Sequence, residues 1–95
     1  MPNEDERPDE DRAEKLSSMR GPAVLALAGL GCGRNCEAIG QEETLGQAVS
    51  RALDGHYISR ASPGLDELWI ADGEGFEVGA YSGLGALVLD LCSNA

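Results

Sequence analysis

The sequence predicts a small α+β domain: one strand, one amphipathic helix and a C-terminal antiparallel meander, behind a disordered acidic tail. Three observations carry that expectation. Residues 67 to 92 hold three apolar runs, separated by Asp72-Gly73-Glu74-Gly75 and Ser82-Gly83-Leu84-Gly85. Aspartate followed by glycine signals a hairpin, because a tight primed turn needs φ > 0 and these residues tolerate it. Leu45, Ala48, Val49, Ala52 and Leu53 recur at the spacing of one helical stripe. Residues 1 to 20 are rich in charge and poor in aliphatic side chains.

In chain order, the division is a tail over residues 1–20 and a domain over 21–95. Met1 to Lys15 contains seven acids, three bases and two prolines. Such a stretch buries too little apolar surface to offset its ordering entropy, so it is expected to be disordered, with a transient charged helix at most over Glu10 to Leu16. Pro22 to Leu30 is a short apolar run, far below the roughly 20 residues that span a bilayer. It reads as a buried strand, because a glycine cluster and then a helix follow it. Its position after Met19 and Arg20 also suits the apolar part of an export signal. The acidic leading segment and the leucine in Gly29-Leu30-Gly31 argue against that reading and for a cytoplasmic chain.

The helix that follows ends where Gly55 offers a left-handed cap. Its start is placed as early as Asn35, with Ile39 extending the stripe and Gly40 and Gly46 weakening the first half. His56 to Arg60, Glu67 to Ala71 and Phe76 to Tyr81 are strands. Leu87 to Leu91 is read as the last strand, with Leu87, Leu89 and Leu91 on one face and Val88 and Asp90 on the other. The same residues also fit helical spacing with Ser82 as cap, and the choice of strand rests on Gly83 and Gly85, which burden a first helical turn.

Net charge and cysteine count bound the function. The chain has 95 residues and a net charge of −10, and Lys15 is its one lysine. Acids repel phosphate, so nucleic acid and anionic membranes are excluded as general partners, while a basic partner suits the charge. A chain this short buries only roughly 60–65% of its unfolded surface, which favours a shallow site over a deep one. Three cysteines, Cys32, Cys36 and Cys92, make a poor disulfide framework and fit free thiols in a reducing compartment.

Two segments look chemical. Cys32 and Cys36 have zinc-knuckle spacing, and Cys92 with His56 would complete three thiolates and one imidazole. No second close pair is present, so this is an inventory rather than a motif. The glycine-rich turn from Gly29 to Asn35, with Arg34, would bind an anion or cofactor if its amides opened a helix. It matches neither the dinucleotide fingerprint nor the P-loop, and a tight connection explains its glycines equally well. Leu30-Gly31-Cys32-Gly33-Arg34, with Pro63-Gly64-Leu65 later, resembles the glycine-cysteine-arginine segment of the cobalt-precorrin hydrolase family. The resemblance covers under a tenth of the chain and keeps only Arg34 of that family's paired arginines, too little to assign membership.

No catalytic constellation stands out, since His56 has no nucleophile motif beside it. The expected function is therefore that of a small non-enzymatic binding or adaptor protein, acting through protein contacts. The Leu87–Leu91 run, as an apolar edge strand, would pair with a partner or a second copy as a homodimer. Val88, Asp90, Trp69 and Tyr57 are the expected interface residues.

Overall fold

The computed structural model describes residues 8–29 and 39–94. Its elements run α1 (Pro8–Ser17), α2 (Gly21–Leu27), α3 (Leu45–Ala52), β1 (Tyr57–Ala61), β2 (Leu68–Ala71), β3 (Glu77–Tyr81) and α4 (Leu84–Asn94). The three strands form one antiparallel sheet in the order β1-β2-β3. Ile58, Ala61, Leu68 and Ile70 from β1 and β2 join one core cluster with the buried side chains of all four helices.

The α+β class holds, but the described residues form four helices and a three-stranded sheet rather than one helix and a longer meander. The last third is the main correction. Leu87 to Leu91 is helical, part of α4, not a strand. Leu84, Leu87, Val88 and Leu91 are all buried, an i, i+3, i+4, i+7 set. Each buried aliphatic side chain contributes about 1.5–3 kcal/mol, whereas a glycine inside a helix costs about 1 kcal/mol. Four such side chains outweigh Gly85, and Gly83 stands before the first helical residue, where glycine is tolerated. No apolar edge exists at Leu87–Leu91, so homodimer pairing there is withdrawn.

The expected tail is corrected as well. Residues 8 to 17 form α1, and Ala13 and Leu16 are buried three residues apart. Few apolar residues suffice because both fall on one helical face. The Arg12 guanidinium ties the helix down, with Nε donating to the Ala61 carbonyl at 3.1 Å and Nη2 pairing with Asp9 at 2.8 Å. Residues 1 to 7 of the expected tail lie outside the described residues.

Pro22 to Leu30 is no strand either. Pro22 sits in the first turn of α2, where its fixed φ suits a helix and its missing N–H is not needed. The alanines that follow favour the helix. The segment before α2 crosses the one before α3 closely. Gly21 N donates to Glu43 O at 3.0 Å and Leu45 N to Met19 O at 2.9 Å. A side chain at Gly21 would meet Gly40 O at 2.3 Å, so only glycine fits that crossing.

The helix over Leu45 to Ala52 forms as expected but begins later than Asn35. Thr44 caps it through a full capping box, with Gln47 N donating to Thr44 Oγ1 at 3.2 Å and Thr44 N to Gln47 Oε1 at 2.9 Å. At its other end Asp54 already takes φ 58°, and Gly55 follows at φ 88° with its N–H donating to Ser50 O at 2.8 Å.

The Asp72 turn closes the β2–β3 hairpin, though not as a primed two-residue turn. Only Gly75 takes positive φ there, at 97°. Asp72 N donates to Phe76 O and Gly75 N to Asp72 O, while the Asp72 carboxylate accepts from the amides of Glu74 and Phe76. This is the longer hairpin loop with a left-handed glycine before the strand. Among the described residues no helix is long and apolar enough to cross a membrane.

Candidate protein-docking edge

The two edges of the sheet are unlike. α1 runs along β1, and Arg12 occupies a carbonyl of that strand. β3 is the other edge, and no described strand pairs with its outer side. An unpaired edge offers a row of backbone donors and acceptors to another chain. Natural edges are blunted by charge, proline or bulges; β3 has neither lysine nor proline, and carries Glu77 and an irregular register opposite Ile70 and Ala71.

The side chains at this edge are apolar and exposed. Phe76 is 66% exposed and Val78 57%. The alternation of Phe76, Val78 and Ala80 predicts a core-facing side, and the structure places it at the surface instead. Every residue of β3 before Tyr81 is exposed, so neither face of this edge strand is covered, and its ladder is irregular as well. Ile70 pairs with Gly79 but Ala71 pairs with Glu77, so Val78 is an extra residue in a bulge. Beside the strand lies an open groove of about 300 Å³, lined by Leu53, His56, Ile70, Val78, Gly79 and Tyr81. His56 Nδ1 is buried there and makes no hydrogen bond among the described residues.

The polar groups around β3 are fixed. Arg60 lies 4.1 Å from the centre of the Trp69 ring and donates to Glu77 from Nε at 2.8 Å and Nη2 at 3.1 Å. This pairing, with the Ser59 hydroxyl at 3.0 Å, holds the Glu77 carboxyl below its ordinary pKa of 4.5. The amides of Phe76, Glu74 and Gly75 do the same for Asp72. At the C-terminal end of β3 the Tyr81 hydroxyl donates to Asp90 on α4. Burial first, and the Asp90 carboxylate second, push the Tyr81 phenol up to about 12.

Comparison with protein-family models, with curated proteins and with solved structures finds no match. The geometry therefore stands on its own residues.

The expected interface residues divide. Val88 is fully buried in α4 and faces the core, not a partner. Asp90 is engaged by Tyr81, and Trp69 is half-buried beside Arg60. Tyr57 is 44% exposed. The zinc set is not brought together in the described residues. Cys32 and Cys36 lie outside them, as does all of the Gly29–Asn35 anion turn beyond Gly29. Cys92 is disulfide-bonded, against the expectation of free thiols, and a disulfide sulfur offers zinc no thiolate. His56 faces the groove, and no group of three or more possible metal ligands occurs among the described residues.

The sequence carried one signal for Val78 and Phe76. If residues 84 to 92 are helical, the third strand becomes the sheet edge, and its apolar side chains become surface.

Proposed function

We propose that this chain is a small acidic, non-enzymatic protein-binding module that docks an extended segment of another protein along β3. The carrying observation is the outer edge of β3, which no described strand pairs, with Val78 exposed on it and Phe76 exposed just before it. Strand addition draws affinity from main-chain hydrogen bonds and specificity from pockets for alternate side chains. The groove beside Val78 supplies such a pocket. Its open form suits one or two side chains rather than a small-molecule ligand, which needs enclosure.

Selection of binders from a random peptide library, followed by amide hydrogen exchange, tests the proposal. Selected peptides are expected to slow exchange at residues 77 to 81 and to lose binding to Val78→Lys. Binders that protect another segment and bind Val78→Lys unchanged would remove β3 as the docking strand.

A further inference from the structure

Independently of β3, we infer that the chain has a second docking surface, between α1, the end of α2 and the β1–β2 turn. Its occupant is a segment of another protein that sets a leucine-like side chain beside a carboxylate. An open groove of about 270 Å³ lies there. Arg12, Lys15 and Leu16 line it from α1, Leu27 from the last position of α2, and Pro63 and Leu65 from the turn.

The fold leaves the apolar walls of this groove partly bare. Leu27 is 51% exposed, and Pro63 is exposed as well. Leu65 reaches the groove at a cost. Its φ is 59°, in the left-handed region, where a Cβ crowds the backbone. The turn holds it there. Leu65 N donates to Ser62 O at 2.9 Å, and Glu67 N donates to the Ser62 hydroxyl at 3.0 Å. A leucine kept in a strained turn, beside a bare leucine of another element, marks a surface that another molecule covers.

Charge sets the chemistry of that molecule. Acids outnumber bases 17 to 7 in the chain, yet among the described residues no acid lines this groove, while Arg12 and Lys15 do. The Arg12 guanidinium is occupied by Asp9 and by the Ala61 carbonyl. Arg20, Arg51 and Arg60 are held by Glu42, Glu43 and Glu77. Lys15 is thus the one lysine or arginine among the described residues that no carboxylate meets, and Asp11 and Glu14, its neighbours on α1, form no ion pair with it. An unmet ammonium at the rim of an apolar groove selects an apolar side chain with an anion next to it. The net charge of −10 opposes an acidic partner at a distance. Salt at about 0.1 M screens charges beyond about 10 Å and leaves the contact between Lys15 and a carboxylate.

Amide NMR titration of the full chain at that salt tests the surface with three capped peptides, each carrying two leucines with two glutamates, two glutamines or two lysines. Sedimentation reads the mass of the free protein. The glutamate peptide is expected to shift the amides of Leu16, Leu27 and Leu65. It is expected to bind about three-fold more tightly than the glutamine peptide, the worth of an exposed ion pair, and the lysine peptide is expected to bind weakest. Lys15→Gln is expected to bring the glutamate peptide down to the level of the glutamine peptide. Leu27→Gln is expected to weaken every peptide about ten-fold through lost apolar contact. Both side chains are exposed, so both variants fold. Equal binding of the three peptides, unaltered in Lys15→Gln, would overturn the carboxylate-bearing partner. Shifts elsewhere, or none at millimolar peptide, would overturn the surface itself, whereas the β3 reading is judged by exchange at residues 77 to 81. A dimer of the free protein that Leu27→Gln dissociates would make a second copy the occupant. Dodecanoate that displaces the glutamate peptide at a lower concentration would make it an amphiphile, and either result overturns the inference.

Discussion

Tyr81 is where the sheet is tied to the last helix. Its hydroxyl donates to Asp90 across the turn at Ser82 and Gly83, and its ring packs against the core. The folded phenol titrates at about 12, above its ordinary 10.0. A raised pKa means that the fold favours the protonated form. The resulting stability is complete below pH 10.0 and is lost as pH climbs toward 12. Urea melts at about pH 8 and about pH 11 are expected to show a fall in stability that Tyr81→Phe lacks. At neutral pH the same substitution is expected to remove roughly 1 kcal/mol, the net worth of one hydrogen bond. An equal alkaline loss in the variant would show that Tyr81 is not its source. Carboxylates work with the opposite sign. Glu43, held low by Arg51 and by the amide of Gly40, stabilises the fold above its ordinary 4.5 and loses that effect as acid protonates it.

At the scale of elements, the decisive pair is Val88 and Val78. One is fully buried in α4 and the other is exposed on β3. Val88→Lys is expected to lower stability by roughly 3 kcal/mol or more, because it sets an unpaired charge in the core. Val78→Lys is expected to stay within about 0.5 kcal/mol of the parent, as a surface change does. Guanidinium titrations of both variants check the contrast, and the reverse order would restore the strand reading of the C-terminus. The same residues show what was legible beforehand. Leu87, Leu89 and Leu91 alternate as a strand would, while Leu84, Leu87, Val88 and Leu91 repeat as a helix would. Glycine propensity favoured the strand, and burial of four aliphatic side chains decided for the helix. α3 was legible because its stripe was long and its far end marked by Gly55. Its true start, the Thr44 and Gln47 capping box, was written in the sequence but lay behind an earlier cap candidate. α1 was hidden because, among its described side chains, the buried apolar ones are just Ala13 and Leu16. Of the docking edge, the strand itself could be read, but not its exposure, which depends on where α4 goes.

At the scale of the molecule, the placement of α1 sets the behaviour of the sheet. One flank is sealed by an acidic helix through Ala13, Leu16 and Arg12, and no described strand pairs with the other. Removing residues 1 to 18 is expected to leave a soluble monomer no longer. It strips Leu16 from the core, a loss of about 1.5–3 kcal/mol, and bares the backbone of β1. Light scattering should report growth in mass with time, and a shortened chain that stays monomeric would mean that α1 does not guard the flank. A sheet sealed on one side accepts one neighbour and stops. With both sides bare, each newcomer would present a fresh face to the next, so the product would be an endless filament rather than a pair.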